Sequence, residues 1–244
     1  MKANTFPIIL QDSYMLSPKV KHFIFKCANA QVFDYLPGQF ITIHFEHHGK
    51  ILRRSYSIAN PPTQNNRIEF AAGFVPEGPG TELLFHLQNG DSINITGPFG
   101  RLVLKDETPK RYILVATSTG VTPYRAMITA LNQRLQTHPN LQVVILQGIQ
   151  KREDVLYRDE FLALSAACSR VIFRAHLSRE PKEGLSPHEF SGHVQSSFEE
   201  LCLNPADDIV YLCGNPSMID DSFAYLKDQG FAIQSIIREK YIST

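Results

Sequence analysis

Residues 52–60 read Leu52-Arg53-Arg54-Ser55-Tyr56-Ser57-Ile58-Ala59-Asn60 and place a cation, an aromatic ring and small hydroxyls in one short segment. The segment predicts a strand, in which alternate side chains share a face. Arg54 and Tyr56 then lie on one face, while Ser55 and Ser57 lie on the other face or at the strand end. A ring beside a guanidinium suits a flat heterocycle tethered to a phosphate, because the ring stacks and the cation holds the anion. The pattern is typical of a flavin nucleotide site, but an ordinary barrel strand with an exposed arginine fits these four residues equally well.

The sequence around this segment predicts an antiparallel β-barrel. β-branched and aromatic residues concentrate in short segments separated by turn signals such as Pro37-Gly38. Many short strands with a single helix favour a small barrel. The expected strands cover residues 20–27, 39–45, 52–58 and 68–74, the expected helix covers residues 81–87, and a tight turn is expected at Gly97-Pro98-Phe99-Gly100.

The second half of the chain has a different residue pattern, which begins after a polar connector over residues 105–110. Apolar strands and amphipathic helices alternate there, as they do in a parallel sheet covered by helices. The expected strands cover residues 112–116, 141–148, 171–177, 209–213 and 233–237, and the expected helices cover residues 123–135, 157–167, 194–201 and 217–227. The sequence therefore predicts two domains, a β-barrel of residues 1–104 and an α/β domain of residues 105–244.

Composition limits the possible partners. The chain has 244 residues, 43% of them hydrophobic, and its 24 Lys and Arg balance its 24 Asp and Glu. A neutral surface gives no bulk attraction to nucleic acid or to an anionic membrane, and no apolar run approaches the roughly 18 residues of a membrane span. Polar residues interrupt the first fourteen positions, so no secretory signal is expected. The four cysteines are scattered, which favours reduced thiols in a cytoplasmic protein and no metal site. A monomer is the default expectation, because the sequence carries no signal of oligomeric state.

A second candidate site is Ala116-Thr117-Ser118-Thr119-Gly120-Val121-Thr122-Pro123, which joins an expected strand to a helix. Small residues leave backbone amides open at the positive helix end, where phosphates bind, and ligands of open parallel sheets sit at this edge. The alternative is a structural Thr/Gly turn. Gly80-Thr81, at the start of the barrel helix, has the same two interpretations, with a simple helix cap favoured when it is taken alone.

A third candidate is Leu212-Cys213-Gly214-Asn215-Pro216, again at a strand end before a helix. Gly214 lets a ligand approach the backbone, and Asn215 is a suitable cap for the helix that follows. Cys213 taken alone is best interpreted as a buried structural thiol.

Four motifs in this order resemble the ferredoxin–NADP reductase superfamily of flavoproteins. They are Arg-x-Tyr-Ser at residues 54–57, Gly-Pro-x-Gly at 97–100, Thr-Gly-Val-x-Pro at 119–123 and Cys-Gly-Asn-Pro at 213–216. The resemblance spans nearly the whole chain, from Pro37 to Tyr241. It implies that the β-barrel binds FAD and the α/β domain binds NADP, although FMN stays possible because the adenine contacts are not diagnostic.

The resemblance also implies roles for individual residues. The Arg54–Ser55–Tyr56–Ser57 strand would bind the flavin, with Arg54 on a phosphate, Tyr56 packed on the isoalloxazine and Ser57 near flavin N5. Further residues would complete the two sites: Gly80 and Thr81 on the flavin pyrophosphate, Thr119 and Gly120 along the nucleotide, and Cys213 beside the nicotinamide. Glu239 and Tyr241 resemble the family's acid and its ring-covering aromatic, and three residues follow Tyr241 here.

Nucleotide choice is predicted from Ser178 and Arg179, which follow an expected strand. A hydroxyl and a guanidinium fit the 2′-phosphate of NADP, whereas a surface Arg179 paired with Glu180 is the alternative. Relatives often carry an arginine where this chain has Gln150, so the adjacent Lys151 and Arg152 either substitute for it or the contact is lost.

The resemblance predicts an enzyme that transfers hydride from NADPH to FAD, with Ser57, Cys213 and Glu239 at the reacting centre. The electrons would then pass to a separate ferredoxin or flavodoxin. One alternative is an NADH-dependent reductase component of an oxygenase or a free-flavin reductase. Another is a flavin-bearing relay or partner-binding subunit that turns over no nucleotide of its own.

Overall fold

A computed structural model describes residues 5–28, 33–62 and 66–241 of the chain. It divides into two compact units. The first unit comprises residues 1–103 together with residues 122–127, and the second comprises residues 104–121 and 128–244. The assignment of residues 1–104 and 105–244 to two functional domains stays a prediction.

The first unit is built on a six-stranded antiparallel sheet with the strand order β4-β3-β6-β1-β2-β5. Its elements are β1 Phe6–Ser17, β2 Val20–Cys27, β3 Phe40–His47, β4 Lys50–Ser57, β5 Arg67–Gly73, α1 Pro79–His86 and β6 Ser92–Phe99. The two edge strands meet at Ile58, which forms an antiparallel bridge with Phe70, and the Ala59 N–H donates to the Glu69 carbonyl over 2.7 Å. This contact brings the sheet round into a barrel, as the sequence predicts.

The barrel interior is apolar. Alternate residues of the strands point inward, so Ile8, Phe23, Ile41 and Phe70 are fully buried in one cluster. Phe25 and Phe70 stack with ring centroids 5.4 Å apart. This packed interior fixes the strands, and β4 among them, in register.

One buried ionic cluster lies at the wall of this unit. The Glu69 carboxylate is 3.0 Å from Nε2 of His22, accepts from Nη1 of Arg125 over 2.9 Å and pairs with Arg67. These hydrogen bonds and the Arg125 charge outweigh burial and lower the Glu69 pKa to about 2. Arg125 also donates to the Ala59 carbonyl at 3.1 Å, which ties the chain just after β4 into the cluster.

The second unit is built on a six-stranded sheet in which every pair of neighbouring strands is parallel, in the order β10-β9-β8-β7-β11-β12. Its strands are β7 Arg111–Thr117, β8 Gln142–Ile149, β9 Val171–Leu177, β10 Glu189–Ser191, β11 Asp208–Gly214 and β12 Ile236–Lys240. Its helices are α3 Arg158–Ala167, α4 Ser196–Glu200 and α5 Pro216–Asp228, while α2 Thr122–Thr137 has its first six residues in the first unit.

Strand order in this sheet reverses at β7. The chain runs from β7 outward through β8 to β9 and then returns to place β11 on the other side of β7. In open α/β sheets, ligands bind beyond the carboxyl ends of the strands at such a reversal point. The two turns that leave β7 and β11 therefore lie where a ligand is expected.

The architecture confirms the two predicted fold classes and most predicted elements. The sequence analysis missed β1, β6 and β10, and its strand over residues 233–237 begins as a 3₁₀ turn, Ile233–Ser235. The tight turn expected at residues 97–100 was wrong, because β6 runs on through Phe99. Phe99 pairs with Phe40 past an irregularity in the β3–β6 register, and Gly97 has a φ of +146° there.

No helix in the described ranges is both long and apolar enough to cross a membrane. The four cysteines are free thiols, with Cys27 and Cys213 buried.

Candidate functional site

Strand β4 presents Arg54 and Tyr56 on one face, as the two-residue repeat predicts. Both side chains are half-buried, whereas Arg53 and Ser55 on the other face are exposed. The Ser55 hydroxyl is 3.0 Å from that of Thr42 on β3, so it contributes to the sheet. Ser57 ends the strand and is 4% exposed. Arg54 and Tyr56 therefore share one half-buried face of β4.

Helix α1 begins against this face. A Cβ added to Gly80 would lie 2.9 Å from Cγ of Arg54, 3.5 Å from Cζ of Phe45 and 3.6 Å from the Tyr56 hydroxyl. Glycine is therefore required for the helix to approach the strand so closely. The approach places the first-turn amides of α1, which have no intrahelical acceptor, beside the Arg54 side chain. Helix-end amides next to a guanidinium form a cradle that suits the pyrophosphate of a dinucleotide.

Thr81 stabilises this helix start. Its hydroxyl lies 3.0 Å from the Val75 carbonyl and 3.1 Å from the Gly78 carbonyl, and it accepts from the Val75 N–H over 3.2 Å. The side chain is buried and holds the loop before α1. Any contact of Thr81 with a ligand is thus left to its backbone amide.

The Tyr56 ring is rigidly held. It stacks on Phe70 with ring centroids 5.0 Å apart and an interplanar angle of 25°. Burial raises the Tyr56 pKa to about 12, and the nearby Arg54 charge opposes that rise only weakly, so the phenol stays neutral. A neutral ring fixed on one face offers a flat stacking surface beside a cation.

In the second unit, the turns after β7 and β11 press against one another. Residues Ser118–Val121 form a 3₁₀ turn that leads into α2, with proline in the first helical turn. A Cβ added to Gly120 would overlap the Cys213 carbonyl oxygen and lie 2.9 Å from Cα of Gly214. The absence of a side chain at Gly120 thus serves the contact between the two turns. Asn215 caps α5, as predicted, by accepting from the Ser217 amide over 2.8 Å.

Cys213, Glu239 and Tyr241 form one cluster at this edge. Cys213 pairs with Glu239 in the β11–β12 register, and the Tyr241 amide donates to the Gly214 carbonyl over 2.8 Å. Burial raises the pKa of the Cys213 thiol well above its usual range and the Glu239 charge raises it further, while a hydrogen bond with the Tyr241 side chain opposes them. Cys213 is therefore a neutral thiol at physiological pH, not a nucleophilic thiolate.

A basic groove lies at the end of β9. It is open to solvent, encloses about 490 Å³ and is lined by Lys151, Arg152, Glu153, Arg158, Arg179 and Glu180. Four of its six lining residues are cationic, which favours an anionic ligand.

The cationic side chains of this groove differ in their hydrogen-bond and ion-pair partners. Arg152 donates to both oxygens of the buried Glu189, over 2.8 and 2.9 Å, and its amide donates to the Glu180 carboxylate. The Arg179 backbone is fixed by a 2.9 Å bond to the Gln150 carbonyl, but its guanidinium has no hydrogen-bond or ion-pair partner among the described residues. The pairing of Arg179 with Glu180 considered from the sequence is not present in this part of the chain. Ser178 donates its hydroxyl to the Ile149 carbonyl over 3.1 Å.

The predicted site residues thus form separate groups. Arg54, Tyr56 and Gly80 come together in the first unit. In the second unit Gly120 meets Cys213, which is clustered with Glu239 and Tyr241. Arg179 lines the groove, whereas the adjacent Ser178 donates to the Ile149 carbonyl. The sequence analysis missed Arg158, which carries no signal apart from its charge, and the side-chain contact that Thr117 makes to the turn after β11.

Two family models match the chain. Residues 7–104 match the oxidoreductase FAD-binding domain, and residues 114–223 match the oxidoreductase NAD-binding domain. These matches cover the strand that carries Arg54 and the two turns that carry Gly120 and Cys213.

Curated relatives are similar over most of the chain. Ferredoxin–NADP reductase B of Sorangium cellulosum is 31% identical over 222 residues, which cover 90% of this chain and 90% of that protein. The reductase component of propane 2-monooxygenase from Mycolicibacterium goodii is 31% identical over 209 residues, which cover 82% of this chain but 58% of that protein.

The fold is also found among solved structures. A ferredoxin NADP⁺ reductase from Neisseria gonorrhoeae with bound FAD and NADP superimposes with a TM-score of 0.82 at 21% identity. The match covers 98% of this chain and 99% of that one, so the two folds agree along their whole length.

Proposed function

Because the chain belongs to the ferredoxin–NADP reductase family and is a flavin-dependent oxidoreductase, we propose that it oxidises NADPH, reduces FAD and passes the electrons to ferredoxin or flavodoxin. The family membership supports FAD and a pyridine nucleotide as the cofactors. NADP as the nucleotide, the acceptor and the individual site residues are the proposal.

The flavin is proposed to bind on the Arg54–Tyr56 face. The glycine cradle at Gly80 supports this assignment, since it leaves helix-end amides beside the Arg54 guanidinium. Arg54 is preorganised, because its Nη1 donates to the Arg53 carbonyl over 2.8 Å. Tyr56, stacked on Phe70, would pack on the isoalloxazine, and the buried Ser57 would lie near flavin N5. The bound flavin supplies the capacity to accept a hydride and to release its electrons one at a time.

The nicotinamide is proposed to bind beside Cys213. A neutral, buried thiol supplies a small apolar wall, which suits an uncharged dihydronicotinamide better than a thiolate would. Glu239 would hold the polar side of the same pocket, and the amides near Thr119 and Gly120 would receive the nucleotide phosphates. Tyr241, which hydrogen-bonds Cys213, would cover the flavin ring. The protein's contribution is orientation, which is worth several kcal/mol in a two-substrate transfer.

The observation that carries the choice of NADP is the guanidinium of Arg179, which has no partner within the described ranges and lies in a groove that also holds Lys151. An arginine without a carboxylate partner is available to a phosphate, and a lysine on the same groove adds a second charge. Arg152 is unsuitable for this task because Glu189 holds it. Lys151 lies 3.8 Å from the exposed Glu153, a long contact between two exposed side chains that contributes little, so Lys151 is the residue proposed to replace the arginine that relatives carry at the position of Gln150.

A second candidate is an NADH-dependent reductase component of an oxygenase. The similarity to the propane 2-monooxygenase reductase component favours it, as does Gln150, which carries no charge. In that case Arg179 would be a solvated surface residue with no effect on nucleotide choice.

Steady-state kinetics with both nucleotides test the proposal. We expect wild-type kcat/KM to be higher for NADPH than for NADH, and Arg179→Ala to lower kcat/KM for NADPH by about 10- to 100-fold with little effect on NADH, since a charged hydrogen bond is worth roughly 1.5–3 kcal/mol. Lys110→Ala controls for net charge. It removes an exposed cation just before β7, at the amino ends of the strands, whereas the groove lies at the carboxyl end of β9.

The outcomes separate the candidates. An NADH preference in the wild-type enzyme, with Arg179→Ala affecting both nucleotides equally, contradicts the NADP assignment and supports the oxygenase-type reductase. A flavin that neither nucleotide reduces under anaerobic conditions supports an electron-relay subunit. Reduction of ferredoxin and of flavodoxin by the NADPH-reduced protein tests the acceptor.

A further inference from the structure

We propose that Thr117 is a positioning residue that clamps the turn after β7 to the turn after β11. This inference rests on the proposed nucleotide oxidation and names a residue that acts through its neighbours. Thr117 ends β7 at the point where the strand order reverses.

The Thr117 hydroxyl makes the contact between the two turns. The Asn215 amide donates to its Oγ1 over 2.8 Å. A Cβ added to Gly214 would lie 2.5 Å from the same oxygen and 2.7 Å from the Thr117 carbonyl, and Gly214 has a φ of +119°. Glycine is therefore required at position 214 for two reasons: its φ is positive, and a side chain would collide with Thr117. Without a side chain, the backbone after Cys213 can reach the Thr117 hydroxyl. The Asn215 N–H is already hydrogen-bonded to Thr117 and is therefore not available to a ligand.

The Thr117 methyl group points to the other neighbouring strand. Thr117 pairs with Gly148 in the β7–β8 register, and a Cβ added to Gly148 would lie 3.3 Å from Cγ2 of Thr117 and 3.1 Å from Cγ1 of Val194. Both branches of the threonine are thus engaged, the hydroxyl toward β11 and the methyl toward β8. A β-branched side chain has a restricted χ1, so these contacts on either side hold it in one rotamer.

The clamp matters because the two turns carry different parts of the proposed nucleotide site. Gly120 touches the Cys213 carbonyl directly, and the Thr117–Asn215 hydrogen bond fixes the next residues of the same turn. Together they set the distance from the phosphate-facing amides to the Cys213 thiol. A transfer reaction depends steeply on such distances, since a misplacement of about 1 Å can lower a rate by roughly 100-fold.

Two variants separate the hydroxyl from the methyl group. Thr117→Val keeps the shape and removes the acceptor, whereas Thr117→Ser keeps the acceptor and removes the methyl. Thr137→Val is the matched control, because it removes an exposed hydroxyl at the end of α2 whose partners, in the part of the chain that the structure describes, are that helix and His138.

Amide hydrogen exchange of the flavin-loaded enzyme without nucleotide gives the first readout. We expect the Asn215 amide to be protected in the wild-type enzyme and in Thr117→Ser, and to exchange about 5- to 10-fold faster in Thr117→Val, given a net hydrogen bond of roughly 1–1.5 kcal/mol. Equal protection of Asn215 in Thr117→Val and wild type overturns the clamp. Global unfolding in urea identifies any variant that is simply unfolded.

The second readout is the rate of flavin reduction in single-turnover mixing. We expect Thr117→Val to lower this rate by about 10-fold at saturating nucleotide, with less than a threefold change in nucleotide Kd, and Thr117→Ser to restore most of it. A rise in Kd with an unchanged rate, or equal losses in the valine and serine variants, overturns the positioning role.

The comparison uses the nucleotide that the wild-type enzyme prefers. A preference for NADH therefore contradicts the NADP assignment alone and leaves this test intact. Should neither nucleotide reduce the wild-type flavin, the proposed nucleotide oxidation fails, and the positioning role fails with it even where Asn215 exchange behaves as expected.

Discussion

The two candidate sites of this protein are built in opposite ways. In the first unit, the proposed binding groups are side chains on a regular strand, with Arg54 and Tyr56 on one face of β4. In the second unit, the proposed nucleotide site lies on irregular turns, where Gly120 and Gly214 let backbone approach backbone. The strand site depends on its two-residue repeat and on the local contact with helix α1 at Gly80. A turn site depends on close contacts between segments about 100 residues apart.

Acid stability is expected to show the largest difference between the units. Burial and the nearby Arg174 lower the His176 pKa to about 4 in the second unit, while Glu69 in the first has its pKa lowered to about 2. Both groups stabilise the folded state above their ordinary pKa values of 6.5 and 4.5. The contribution of His176 is lost as pH falls from about 6.5 to 4, and that of Glu69 as pH falls from about 4.5 to 2.

Urea unfolding across pH measures this difference. At about 1.4 kcal/mol per pKa unit, each group accounts for roughly 3 kcal/mol. The gap in unfolding free energy between wild type and His176→Asn should narrow between pH 6.5 and 4, and the gap to Glu69→Gln between pH 4.5 and 2. Gaps that stay constant with pH would show that neither group's ionisation is coupled to folding.

Gly120→Ala should damage the turn site alone. The added Cβ overlaps the Cys213 carbonyl, so we expect about a 100-fold loss of nucleotide-driven flavin reduction, with the flavin content unchanged. Gly73→Ala is the matched control, because among residues 5–28, 33–62 and 66–241 its Cβ would meet Val20 alone, at 4.0 Å. Loss of flavin from Gly120→Ala would contradict the separation of the two sites.

Arg54→Ala should damage the strand site alone. Removal of one charge-assisted contact should weaken FAD binding by roughly 10- to 100-fold, measured by retention of colour on gel filtration and by titration of the apoprotein with FAD. The antiparallel sheet should remain, since Arg54 is half-buried and Ser55 makes the hydroxyl contact to β3. Undiminished FAD affinity would remove Arg54 from the phosphate-binding role.

Ser118→Gly should have the smallest effect and should slightly stabilise the folded protein. Ser118 has a φ of +48°, a left-handed conformation that favours glycine, at the exposed start of the turn. Relief of this strain should raise the unfolding free energy by up to about 1 kcal/mol. Calorimetry measures it, and a destabilised glycine variant would mean that the serine side chain makes a compensating contact.

Sequence reasoning succeeded where a repeat carries the information. The two-residue repeat gave the face shared by Arg54 and Tyr56, and the alternation of strands and helices gave the parallel sheet. It missed β1, because register shifts near Leu10 and Met15 break the alternation, and it missed β6, because Gly97-Pro98 was interpreted as a turn.

The contacts between turns were beyond sequence reasoning for a different reason. Nothing in residues 116–123 indicates that the Thr117 hydroxyl accepts from Asn215, 98 positions away. The same holds for Arg152, whose pairing with Glu189 depends on how β9 and β10 pack. Charge and residue type predict which groups can bind a phosphate, whereas tertiary structure decides which of them are already engaged.

Anaerobic mixing of the purified, FAD-loaded protein with NADPH and, separately, with NADH tests the central claim most directly. The account predicts that both nucleotides bleach the yellow flavin band and that NADPH does so at a higher rate at equal concentration. A protein that retains no flavin, or a flavin band that neither nucleotide bleaches, would contradict it.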